Sequence, residues 1–414
     1  MTAEARTPYP VAVTGLGMLT AAGVGAAASW HEVTHADSPS GVRRPAELRD
    51  LPTDFLYLID GLDVETALDA ATRRLTDRFS QLAVLAAREA VTDAGLDPKA
   101  WDGDRVAVVI GTANGGLALY DQQHTTLLER GPRRVSPMLP SLFTTNSAAA
   151  SVCRDLGARG PGLAVNTTCA SGTDAVGIAR QLLRAGMCDI AIAGGTESNC
   201  SRLMMASMCK MKGPSTRRED PAAACRPFDV DRDGFVLGEG AGLLVLERPE
   251  HARARGARVR AQVVGYGTAN DAHAPVAPHP EGEGAERALR AALADAGVRG
   301  SDIGHVNAHG TSTVLNDVIE SVMLRRVLGD HPLVTSTKAM TGHTLGAAGG
   351  IETAFAVLAL QHQLVPPTVN LESPDPDVPV EVVAKEARPA RLDCAVKTSL
   401  GFGGHNAALV LSRG

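Results

Sequence analysis

Cys169 stands in Thr167-Thr168-Cys169-Ala170-Ser171-Gly172, between an apolar run (LAVN) and a helix-forming stretch (DAVGIARQLLRAG). Small neighbours leave a sulfur accessible at a sharp turn. The first-turn amides of the following helix favour a thiolate there, because a helix N-terminus carries partial positive charge. A lone cysteine is more often a small buried hydrophobe. The corner position, with histidines in comparable loops elsewhere, marks this one as a nucleophile instead. Cys153, Cys188, Cys200, Cys209, Cys225 and Cys394 lack that setting and read as packing.

His309 lies in Asn307-Ala308-His309-Gly310-Thr311-Ser312-Thr313, after a strand-like HVNA, and His343 lies in Thr341-Gly342-His343 at another strand-to-helix corner. Glycine lets a substrate approach the backbone, and threonine supplies hydroxyl donors. Metal binding is the competing use of two histidines, but no acidic or cysteine ligand stands at zinc-like spacing, so no metal is expected. Lys338 precedes His343 at the end of an apolar strand, where a side chain should face inward. A buried lysine needs an acidic partner; Glu320 and Asp317, downstream of the HGTST loop, are the candidates. Gly401-Phe402-Gly403-Gly404 gives a flexible loop with one aromatic at its centre. Phe402 is expected to gate the cysteine, with its backbone N–H available to an oxyanion.

Three motifs read as decoys. Val13-Thr14-Gly15-Leu16-Gly17 begins like a dinucleotide fingerprint, but Thr20 stands where the third glycine belongs. Asp229-Val230-Asp231-Arg232-Asp233-Gly234 imitates the start of a calcium loop, yet Gly240 falls at the twelfth position and Pro221 and Pro227 spoil the preceding helix. Asn166-Thr167-Thr168 matches a glycosylation sequon that would block the nucleophile.

The elements that carry these residues alternate. Val/Ile-rich runs (VAVTGLG, RVAVVIG, LAVNTTC, DIAIAGG, GLLVLE) are expected to form buried parallel strands. Helical stretches such as FSQLAVLAAREAVTDAG and DAVGIARQLLRAG close on glycine, the residue suited to a left-handed cap. After residue 257 the pattern restarts, dividing the chain into halves 1–257 and 258–414. The unit VNTTCASGTDAVGIARQLL is matched by VTSTKAMTGHTLGAAGGIETAFAVL, with His343 at the corner that carries Cys169 in the first half. Four of the ten methionines fall between Ser201 and Met211. They are either core filling or the wall of an adaptable apolar pocket.

Composition narrows the classes further. Across 414 residues, 44% are hydrophobic and 21% charged, enough for a large core and against disorder. A net charge of −6 gives no whole-chain attraction to nucleic acid or anionic membrane, so a basic docking surface would be local. Arg133, Arg134, Lys210, Lys212, Arg217 and Arg218 are its candidates. MTAEARTPYP has no apolar h-region, and no apolar stretch approaches membrane-spanning length. Seven cysteines without a CxxC pair fit neither a disulfide framework nor a thiolate zinc site, so a reducing cytoplasm is expected.

In this order, the cysteine corner, RPFDVDRDGFVLGEGAG, NAHGTST, STKAMTGHTLGAAGG and GFGG resemble the β-ketoacyl-acyl-carrier-protein synthases, the elongating condensing enzymes of fatty acid and type II polyketide pathways. The likeness runs from VAVTGLGML to GFGGHNA. It implies the α/β thiolase fold, two similar βα halves forming a layered α-β-α-β-α body. By resemblance Cys169 is the nucleophile, His309 and His343 the histidine pair and Lys338 the active-site lysine. Asp317 and Glu320 then support their loops, Thr311 and Thr313 line the pantetheine channel, and Phe402 gates with its N–H beside that of Cys169 in the oxyanion hole. The retained cysteine argues against the family's chain-length factors, and a degradative thiolase would need a second cysteine as base where only Cys394 is near. No cofactor is implied beyond the phosphopantetheine of an acyl carrier protein. The expected partners are that carrier protein and a second subunit, either an identical copy or one like a chain-length factor. Asn114, the methionine-rich segment with Met205 and Met208, and Asn316-Asp317 depart from the fatty acid enzymes. They point to polyketide or polyene synthesis, with Asn114 at the floor of the acyl pocket and Met205 and Met208 in its wall.

Overall fold

The computed structural model describes residues 9–198 and 201–414; Cys200 lies outside them. The β-branched and alanine-rich runs form ten strands: β1 Val11–Thr20, β2 Val106–Gly111, β3 Gly162–Val165, β4 Ile190–Glu197, β5 Gly240–Glu247, β6 Ala261–Asn270, β7 His305–Asn307, β8 Leu333–Thr335, β9 Cys394–Gly401 and β10 His405–Arg413. Their spatial order is β8-β7-β9-β10-β6-β1-β5-β4-β2-β3, with the short strand Gly23–Val24 beside β1. The path β1-β5-β4-β2-β3 pairs antiparallel, antiparallel, parallel, parallel, and β6-β10-β9-β7-β8 repeats that series. The halves join where β1 meets β6, through Val11–Val263, Ala12–Gln262 and Val13–Ala261.

Helices pack in three layers around the two half-sheets. The principal ones are α1 Arg78–Asp93, α2 Ser171–Arg184, α3 Arg202–Lys210, α4 Glu283–Ala296, α5 Val314–Leu328, the single turn α6 Lys338–Thr341 and α7 Ala348–His362. α2 and α7 lie between the half-sheets in one hydrophobic cluster, α1 covers the outside of the first, and α4 and α5 cover the second. α7 is buried from Ala348 to Leu360, which explains its apolar composition on every side. Strand alternation supplies both faces: Ala107 and Val109 of β2 face α2 and α7, while Val106, Val108 and Ile110 face α1. This is the α-β-α-β-α body.

Two expectations need correction. The apolar runs are not all parallel, since β1 and β5 have only antiparallel neighbours. β3 is not buried; it ends the sheet, and Gly162, Leu163 and Ala164 are exposed. The glycine caps hold, with Gly95 after α1 and Gly186 after α2 left-handed. Gly15 and Gly17 admit α1 at close range: a Cβ on Gly17 would stand 1.9 Å from Ala86 O. That contact accounts for the VTGLG motif without a nucleotide. Asp229 uses its carboxylate internally, accepting from Arg226, Asp231, Glu372 and Ser373. Among the described residues no helix is long and apolar enough to cross a membrane.

Candidate active site

The loops after β3, β7, β8 and β9 meet at one cavity. Cys169 follows β3 in a 3-10 turn, Thr168–Ala170, that runs into α2. Thr168 takes a left-handed conformation (φ 52°), and the turn is held by Ser171, whose hydroxyl accepts from Thr167 N and donates to Thr168 O. Strain of this kind is kept only where the surroundings fix it. The Thr168 hydroxyl also donates to Phe402 O at 2.9 Å, tying the Cys169 turn to the loop after β9. A Cβ on Gly401 would meet Thr168 Oγ1 at 2.4 Å, so that approach requires glycine.

His343 Nε2 lies 3.2 Å from Cys169 Sγ. The His309 and His343 rings stand edge to face, with centroids 5.3 Å apart. Phe235 packs edge-on against His343 at 5.8 Å. The backbone holds these rings in place: His343 N donates to Val236 O, while His309 N and Gly310 N donate to the two oxygens of Glu320. Asp317 accepts from Phe228 N and Ser312 N, fixing the same loop from α5. Asp317 and Glu320 therefore both accept from backbone N–H groups of the loop that carries His309.

Neither acid pairs with Lys338, as had been considered. Lys338 Nζ donates to Glu352 Oε1 at 2.5 Å and to His309 O at 2.5 Å. Glu320 and Asp317 are already committed to backbone N–H groups, whereas Glu352 reaches inward from α7. A single acid in the otherwise apolar helix AAGGIETAFAVL was the signal that could have found it. Lys397 of β9, Phe235 and Glu197 were also missed. Glu197, at the end of β4, accepts from the N–H groups of Ala113, Asn114 and Gly346.

Burial pushes the Cys169 thiol up to about 12, against the pull of Lys338 and of the Phe402 and Cys169 N–H groups. The resting group is therefore a thiol. The thiolate expected from the helix start is outweighed by desolvation of a residue only 4% exposed. Burial, reinforced by Lys338 and Lys397, holds His309 and His343 well below the usual histidine range, so both imidazoles are neutral. Ligand atoms of Cys169, His309 and His343 lie within 4.8 Å of one another, a set sequence spacing did not foresee as metal-binding. The two buried lysines behind the rings oppose a metal cation there.

A cavity of about 380 Å³ opens on this cluster. Cys169, His309, His343, Thr311, Thr313 and Phe402 all line it. Thr311 and Thr313 hydroxyls touch each other at 2.9 Å. Met208 and Met211 line it too; Met205 is fully buried behind, in the same apolar cluster as Cys169, Met208 and Phe235. Asn114 is not among the lining residues. Of the basic candidates, Lys212 lines the cavity, whereas Arg218 pairs with Asp54.

The family model described as "Beta-ketoacyl synthase, N-terminal domain" matches residues 9–252, and "Beta-ketoacyl synthase, C-terminal domain" matches 260–372. The chain is 41% identical over 417 aligned positions to 3-oxoacyl-(acyl-carrier-protein) synthase 2 of Staphylococcus aureus (strain COL), covering 97% of this chain and 98% of that protein. The structure titled "The ishigamide ketosynthase/chain length factor" superposes with a TM-score of 0.90 at 32% identity, covering 99% of this chain and all of that one (100%). A type II polyketide synthase ketosynthase, solved with its acyl-carrier protein and bound to the hexaketide, gives 0.89 at 32% identity, over 99% and 100% of the two chains.

Proposed function

Since the chain belongs to the β-ketoacyl synthase family and is a condensing acyltransferase, we propose that it lengthens an acyl chain on Cys169 by decarboxylative Claisen condensation with malonyl-acyl-carrier protein in polyketide or polyene synthesis. The observation that carries the catalytic assignment is the 3.2 Å contact between His343 Nε2 and Cys169 Sγ, beside a second neutral imidazole.

In the first half-reaction the Cys169 sulfur attacks the thioester carbon of the acyl-carrier protein. The Cys169 proton passes to the departing pantetheine sulfur, and His343 keeps its own proton on Nε2 throughout. Malonyl-carrier protein then loses carbon dioxide, and its electron pair becomes an enolate whose oxygen accepts from the Nε2–H of His309 and His343. The enolate carbon attacks the acyl-enzyme carbonyl. Negative charge passes to that oxygen, held by the N–H groups of Cys169 and Phe402, and collapse expels the Cys169 thiolate. One proton from water restores the thiol. Neutral imidazoles suit this role, because a donor that keeps its proton holds an oxygen without quenching the carbanion. Every step is served by side chains and amides of this chain, so the proposal requires no metal or redox cofactor.

Acyl carrier protein is the proposed substrate carrier, reaching the site along Thr311, Thr313 and Phe402. The proposed assembly is a dimer, with an identical copy or a chain-length-factor-like subunit, in a reducing cytoplasm that keeps Cys169 a thiol. The polyketide reading is supported by methionines along the cavity, by Asn316 at its wall and by the likeness to the ishigamide and hexaketide-bound enzymes. The 41% identity to 3-oxoacyl-(acyl-carrier-protein) synthase 2 favours fatty acid elongation as the second reading. Intact-mass analysis after incubation with carrier-bound saturated, unsaturated and oxygenated chains separates them. Polyketide or polyene synthesis expects loading of the unsaturated or oxygenated chains on the Cys169 peptide; loading of saturated chains alone selects fatty acid elongation.

A further inference from the structure

Lys397 is fully buried on β9, in register between Asn307 of β7 and Leu409 of β10. Alternation turns Ala395, Lys397 and Ser399 inward, and Ser399 meets Thr173 of α2. Thr398 faces outward and donates to Glu320 of α5. A lysine therefore occupies the inner face of the second half-sheet, against α7. Its Nζ lies 2.8 Å from Glu352 Oε2, while the other oxygen of that carboxylate lies 2.5 Å from Lys338 Nζ. Lys397 also donates to Thr398 O.

One carboxylate suffices to neutralise Lys338. A second buried ammonium on the same carboxylate adds desolvation cost that an apolar residue of similar length would avoid. Its position suggests what it gives in return, since Lys338 reaches the carbonyl of His309 and Glu352 holds the Lys397 ammonium on the other oxygen of the same carboxylate, so both cations stand beside the histidine loops. We propose that Lys397 is a positioning residue for the condensation: with Lys338 it makes Glu352 a bridge between two cations, whose combined positive potential keeps His309 and His343 uncharged and favours the anionic oxygen they hold. The inference rests on the assignment of those histidines as enolate donors.

The charged and titratable groups around the histidine pair are Cys169 from the start of α2, Glu320 from α5, Lys338 from α6, Glu352 from α7 and Lys397 from β9, with Glu197 of β4 acting on Cys169. Asp317, beside Arg232, reaches the same loop through Ser312 N. Glu320 and Glu352 hold backbone or lysine groups. Lys397 is thus the added cation of the set, and removing it should let the imidazoles protonate at higher pH.

The test uses Cys169→Gln protein, in which carbon dioxide release from malonyl-carrier protein reports the histidine pair alone. Adding Lys397→Met should lower release about tenfold and move the acid limb of its pH profile up by about one pH unit. A purely structural lysine would lower the melting temperature and leave the limb in place, so a profile that superimposes on the parent's overturns the inference. If the parent variant releases no carbon dioxide while folded, the condensing assignment fails and takes this inference with it. If Lys397→Met does not fold, Lys397→Gln in the same Cys169→Gln background is read by histidine NMR titration: either imidazole protonating at higher pH than in the parent supports the inference, and superimposable titrations overturn it.

Discussion

Glu352 Oε1 lies 2.5 Å from Lys338 Nζ, joining the second turn of α7 to the single turn α6 that precedes His343. Both groups are buried, and the same lysine donates to the carbonyl of His309. A single ion pair therefore ties the supports of both histidines together.

Glu352→Gln leaves two buried ammonium groups facing each other without a carboxylate. The expected loss is about 3–5 kcal/mol of stability, the range for breaking a buried pair from one side. Urea denaturation of the variant checks it; a loss under 1 kcal/mol would mean that neither lysine is charged in the fold.

Cys169→Ala should abolish condensation and keep the fold, because the side chain ends in a cavity rather than in a load of packed contacts. Cys169→Gln should still decarboxylate malonyl-carrier protein, since an amide mimics an acyl thioester and the histidine pair remains. Adding His343→Ala should lower that release by about 10²-fold, the scale of losing one oxyanion donor. Unchanged release in the double variant would remove His343 from enolate stabilisation.

Acid acts on the fold through buried histidines and buried carboxyls in opposite senses. Burial pushes His305 down to about 4 and holds His309 and His343 well below 6.5, where the unfolded chain protonates. Their contribution is present above pH 6.5 and is lost as pH falls, at about 1.4 kcal/mol per pH unit for each. Burial also pushes Glu197 up to about 7 and Asp317 up to about 6, and these take protons in the fold first, so they act in the opposite sense. Burial raises Asp77, Glu89 and Asp174 as well and lowers His362, so the two sets oppose each other between pH 6 and 5. Glu197→Gln removes one of the opposing acids, so its denaturation midpoint should drop further from pH 6 to 5 than the parent's; equal changes in the two proteins contradict the raised Glu197 carboxyl.

Met208 lines the cavity within the cluster that holds Cys169, while Asn114 does not line it. Met208→Phe should therefore shorten the longest product, and Asn114→Ile should leave the product profile of the same assembly unchanged. Profiles are to be read beside melting temperatures. A stable Met208→Phe enzyme with unaltered products would make Met208 core packing only.

Much of this protein was legible in residue order alone. Cys169, His309, His343 and Phe402 each stand in short Gly/Thr-rich corners between periodic apolar runs, because a reactive side chain has to leave a strand end where the backbone can turn. The repeated βα unit was legible for the same local reason, and the observed half-sheets repeat one pairing series. Sequence could not say which acid meets Lys338, since Glu320 and Glu352 flank it at comparable distances along the chain and only packing turns the acid of α7 toward it. Nor could it say that β1 and β5 run antiparallel, because a fully buried strand reads as continuously apolar in either direction. The protonation of the site was decided by tertiary structure as well. A helix start favours a thiolate locally, but enclosure of Cys169, His309 and His343 removes water from all three and leaves thiol and imidazoles neutral. Side-chain identity and local turns are written along the chain; desolvation and partner choice arise only when distant segments close around one point.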